Sequence, residues 1–86
     1  ATALVQSGQS ERDKMLVILK ANASAKRGDN YQMVKFEYDE QVKAYDWVMS
    51  QTKYPNIMTN AMKKWGNNFQ MVKFEYEQQV EAYESL

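Results

Sequence analysis

The chain is 86 residues long, room for one domain, and a domain of this size buries only about 60–65% of its unfolded surface, so its core is marginal without a partner. Eleven Lys and Arg balance eleven Asp and Glu, which removes the uniform positive field that phosphate backbones and anionic membranes select, and nucleic acid is not an expected partner. With no Cys and no His there are no disulfides or thiolate metal sites, and the commonest general base and neutral metal ligand are absent, so neither a metal nor a cofactor is expected.

Residues 1–10 are small and polar apart from Leu4 and Val5 and read as a flexible N-terminal arm. Residues 11–86 read as a single helical domain. Ser10 is a candidate cap for its first helix, with Asp13 in the first turn. Met15 to Leu19 are apolar around the whole circumference, the pattern of a buried segment. This is also the longest uninterrupted apolar run. It falls far short of the ~18–20 residues that span a bilayer, and it is short for a signal-peptide core. A soluble chain with no membrane span and no cleavable signal is expected, either cytoplasmic or exported by a route that needs none.

Lys26 and Arg27 place positive charge where a helix ends, and Gly28 suits the left-handed residue beyond it. Asp29 followed by Gln32 has the form of a capping box opening a second helix. In that helix Tyr31, Val34, Tyr38, Val42, Tyr45 and Val48 recur at steps of three and four and form the main apolar stripe. Val34 to Asp39 also alternates as a half-buried strand would, but the longer window and the cap signals favour helix. At 100° per residue, Met33, Phe36, Ala44 and Trp47 gather on nearly the opposite side. The helix therefore has two apolar faces, and the second is the candidate protein-interaction surface, with Trp47 its anchor.

The pattern then recurs. Asn22 to Tyr38 corresponds to Asn60 to Tyr76, an offset of 38 residues, and Gln32 to Tyr38 is identical to Gln70 to Tyr76. Such a period marks a supersecondary unit that stacks on its neighbour to bury its apolar face. The units span about 11–48 and 49–86. Pro55 fits the first turn of a helix, so the third helix begins near Tyr54 to Asn56 and continues through Ile57, Met58, Met62 and Trp65. Lys63, Lys64 and Gly66 end it, and Asn67 with Gln70 repeats the capping box. Phe69, Val72, Tyr76, Val80, Tyr83 and Leu86 repeat the main stripe, with Tyr38 and Tyr76 at the buried centre of each copy, while Ser85 stands where Trp47 was. The expected fold is all-α: two tandem helical hairpins forming a small four-helix bundle or array.

No residue constellation points to a reaction. Asp39 and Glu40 are adjacent and Glu75 and Glu77 are two apart, positions that diverge on a helix. Glu37 and Gln41 stand one turn apart near the main stripe, as do Glu75 and Gln79, but nothing completes a mechanism around either pair. The glycines are isolated and form no phosphate loop. Arg27-Gly28-Asp29 spells an adhesion tripeptide but falls on a helix stop and restart.

Asn30-Tyr31-Gln32-Met33-Val34, followed by Glu37-Tyr38, resembles the start of the second helix in type III secretion needle subunits, which are short, cysteine-free helical hairpins. A Gly28-Asp29 turn stands where that family has a proline-bracketed one. The resemblance implies a subunit that assembles into a filament. The residues themselves lead to an expected non-enzymatic interaction or assembly protein, using apolar helix faces to self-associate or bind a helical partner. The alternative is a small regulator, such as a chaperone, inhibitor or immunity protein, that occupies one target.

Overall fold

A computed structural model describes the backbone of residues 2–86 and the side chains from Glu11 onward. Four helices follow one another: α1 (Thr2–Arg27), α2 (Tyr31–Ser50), α3 (Pro55–Trp65) and α4 (Phe69–Glu84). The described residues contain no strand, and Val34 to Asp39 is helical. The expected flexible arm over 1–10 includes Ala1 and side chains that lie outside the described residues. The backbone of α1 already runs through Ser10, so the helix does not start at that residue.

Glycine terminates both first helices of the tandem units. Gly28 has φ 62° and donates its N–H to Ser24 O at 2.8 Å; Gly66 has φ 59° and donates to Met62 O at 2.8 Å. A left-handed residue turns the chain out of the helix while its N–H still serves the last turn, and glycine adopts it at no steric cost. The cap that follows is one residue later than expected. Asn30 Oδ1 accepts from Met33 N at 3.3 Å, and Asn68 Oδ1 accepts from Met71 N at 3.4 Å. Asp29 and Asn67 are spent in the turn, and the glutamines fall at the second helical position, where they cannot complete a capping box. Pro55 is the first residue of α3, as its fixed φ predicts. The residue before it, Tyr54, takes a left-handed φ of 54°.

The chain divides into two compact units, Ala1–Asp39 and Glu40–Leu86. This division falls inside α2 and not at the boundary between the sequence repeats. In the first unit Leu19 and Ala23 are buried one turn apart on α1, and Met15 is half-buried one turn earlier. Val17 and Ile18 are exposed, so the apolar run is buried along one edge only. The second unit holds Ala44, Tyr45, Val48, Ala61, Phe69, Val72 and Tyr76 in its core. Tyr76 is buried and donates its hydroxyl to Lys53 O at 2.6 Å, whereas its counterpart Tyr38 is only half-buried.

Candidate interaction surface

Each unit closes its helical turn with a glutamate. In the first, Glu37 is buried and faces Arg27 Nη2 at 3.3 Å and Lys26 Nζ at 3.6 Å. In the second, Glu75 Oε1 meets Lys64 Nζ at 3.2 Å and accepts from Trp65 Nε1 at 3.4 Å. The two clamps stand at the same 38-residue offset, with Trp65 replacing Arg27. Gln79 Nε2 adds a hydrogen bond to Glu75 Oε2 at 2.9 Å. These partners, the Gln79 hydrogen bond first and Lys64 and Trp65 after it, hold the Glu75 carboxyl below its ordinary pKa against an opposing desolvation. Glu75 is thereby committed as a charged structural tie, while Glu37 is engaged by Arg27 and Lys26.

The second unit contains a polar arrangement that joins two helices. Gln41, buried on α2, reaches the N-terminus of α4. Its Oε1 accepts from Phe69 N at 2.8 Å and Gln70 N at 3.3 Å, while its Nε2 donates to Asn68 Oδ1 at 3.0 Å. The first helical N–H groups have no partner within their own helix. Here α2 supplies an acceptor to the first two and Asn68 serves the third. The neighbouring aromatic side chains complete the seam: Tyr45 meets Phe69 edge-on with ring centroids 5.0 Å apart, and Trp47 meets Tyr76 at 5.8 Å. Lys73 Nζ lies 5.0 Å from the centre of the Trp47 ring.

This seam redraws the face expected from the sequence. Ala44 is buried and Trp47 half-buried in the second unit, where Trp47 already has Tyr76 and Lys73 as neighbours. In the first unit Met33 is half-buried and Phe36 exposed. The four residues are therefore not four free anchors, and Phe36 is the large apolar side chain among them that remains open to solvent. In the second copy Phe74 is equally open, while Met71 is half-buried. Gln41 escaped the sequence reading as a cap because its partners lie 27–29 positions away. The one local signal was a polar side chain set on an apolar stripe.

A shallow cleft of about 670 Å³ is lined by Trp47, Tyr54, Tyr76, Val80 and Glu84 among others. Tyr54 donates to Glu84 Oε2 at 2.8 Å, and this bond raises the pKa of the phenol, keeping it protonated. The cleft thus presents an aromatic wall and a carboxylate rim. Among the described residues no three His, Cys, Asp or Glu side chains converge as a metal site. No described helix is long and apolar enough to cross a membrane. No protein family, curated protein or solved structure matches the chain.

Proposed function

We propose that this chain is a non-enzymatic helical interaction protein that works by assembling through its exposed apolar helix positions. The observation that carries the reading is the repetition of Phe36 and Phe74 at equivalent positions of α2 and α4, exposed to 58% and 55%. Large aromatic side chains left in water on a domain with a small core are the anchors from which association gains most. The polar groups support the same reading, because Glu37, Gln41 and Glu75 are engaged in holding helices together and not in a reactive cluster.

Sedimentation velocity across the micromolar to millimolar range tests it. Wild type is expected to grow with concentration. Phe36→Glu is expected to weaken association about tenfold or more, the effect of placing a charge on a desolvated anchor, while far-UV circular dichroism stays unchanged. A wild-type chain that remains monomeric throughout would remove the assembly reading and leave a regulator that waits for a different target.

A further inference from the structure

The seam between α2 and α4 has two halves, and the repeat places a second example of each half on the surface. One half is Gln41, Tyr45 and Val48 on α2; the corresponding residues are Gln79 and Tyr83 on α4 and Leu86 just beyond its end. The other half is Asn68, Phe69 and Val72 at the start of α4; its counterparts at the start of α2 are Asn30, Tyr31 and Val34. Exposure separates the occupied set from the open one. Phe69 is 2% exposed and Tyr31 75%; Tyr45 is 8% exposed and Tyr83 59%; Val72 is buried, whereas Val34 is half-buried.

We propose that a second copy of this chain fills the open halves, so that Gln79, Tyr83 and Leu86 of one molecule dock on the Asn30-Tyr31 start of α2 in the next. This rests on the assembly reading and adds to it a named partner and a contact separate from Phe36 and Phe74. The template is the occupied seam inside the chain itself. There Gln41 Oε1 accepts from the first two N–H groups of α4, and Tyr45 stands edge-on to Phe69. The open halves carry the same chemistry. Asn30 already caps Met33 N as Asn68 caps Met71 N, leaving the N–H groups of Tyr31 and Gln32 as the two that a glutamine from outside would serve. Gln79 is exposed, and its Nε2 is held by Glu75 at 2.9 Å. Among the described residues nothing donates to its Oε1, the atom that performs the capping in Gln41. Tyr31 opposite Tyr83 would restore the aromatic pair.

Because the two halves differ, the contact is heterologous, and copies joined this way run head to tail. It is also weaker than its template. Ser85 stands where Trp47 packs on Tyr76, so the copy-to-copy seam lacks that aromatic pair.

Complementation between two disabled chains is the test. Tyr31→Glu removes one half and leaves the other intact; Tyr83→Glu does the reverse. Both side chains are mostly exposed in the single chain, Tyr83 keeping an edge-on contact with Tyr54 at 5.5 Å, and circular dichroism should show unchanged helicity. By sedimentation velocity, each variant alone should lose association by about tenfold or more, while an equimolar mixture should form a 1:1 dimer that grows no further. If Tyr83→Glu loses helicity, Gln79→Ala takes its place. Should wild type associate while either variant alone still does so equally well, or while the mixture yields no dimer, this seam is wrong and the assembly reading survives on other surfaces. A wild type that never associates overturns both.

Discussion

Gly66 shows how much of this fold depends on single backbone angles. Its φ of 59° and ψ of −121° lie where a side chain is rarely tolerated, and a Cβ added there would meet nothing within 4 Å. The cost of Gly66→Ala is therefore a backbone cost, expected at about 1–3 kcal/mol by chemical denaturation. A synthetic chain carrying D-alanine at position 66 discriminates this cause from crowding. The mirror-image residue favours positive φ and should restore wild-type stability or exceed it. Equal loss with both enantiomers would place the cause elsewhere. Tyr54 holds a comparable left-handed φ without being glycine. Its compensation is visible, since its hydroxyl bonds Glu84 and its ring lies edge-on to Tyr83 at 5.5 Å.

At the scale of the elements, Gln41 turns two helices into one seam. Removing its side chain leaves the N–H groups of Phe69 and Gln70 without the acceptor that α2 supplies, and Phe69 is buried. Gln41→Ala should thus cost about 1–3 kcal/mol. Gln79→Ala, the same change at the exposed counterpart, should stay within about 0.5 kcal/mol in dilute monomer. Urea denaturation of the two variants side by side measures the difference, and equal effects would deny Gln41 its capping role. The contrast also explains what could be read in advance. Gly28, Gly66 and Pro55 act on their own backbone, so the helix ends were legible from residue type and spacing. The cap was misplaced by one because Asp29 and Asn30, like Asn67 and Asn68, are both competent capping residues, and only the turn geometry chooses between them. The seam was not legible. Nothing local distinguishes Gln41 from Gln79, and Trp47, open on a helical wheel, is occupied only because Tyr76 arrives from 29 positions away.

At the scale of the molecule, the apolar core of the described residues is unevenly shared. Of the nine buried apolar residues among those described, seven lie in Glu40–Leu86, and Leu19 and Ala23 alone lie in Ala1–Asp39. The larger share comes with the cap from Gln41, the Tyr45–Phe69 and Trp47–Tyr76 pairs and the Tyr76 hydroxyl bond to Lys53 O. Segments open in proportion to what holds them, and those with few buried apolar contacts open at lower free energy than the global transition. Residues 17–27 of α1 present Val17 and Ile18 to water and are tied at their end by the Glu37 clamp, whose cations are partly solvated and which adds little by itself. Native-state hydrogen exchange should accordingly find the slowest amides around Ala61 in α3 and from Val72 to Tyr76 in α4. Amides of 17–27 should exchange through local opening, at rates only weakly dependent on low urea. If 17–27 exchange as slowly as 72–76 and with the same urea dependence, the chain opens as a single cooperative body and the uneven core has no energetic consequence. Measured at low and high protein concentration, the same experiment also reads self-association, because docking at the start of α2 should slow the amides of Tyr31 and Gln32 before any others in the first unit.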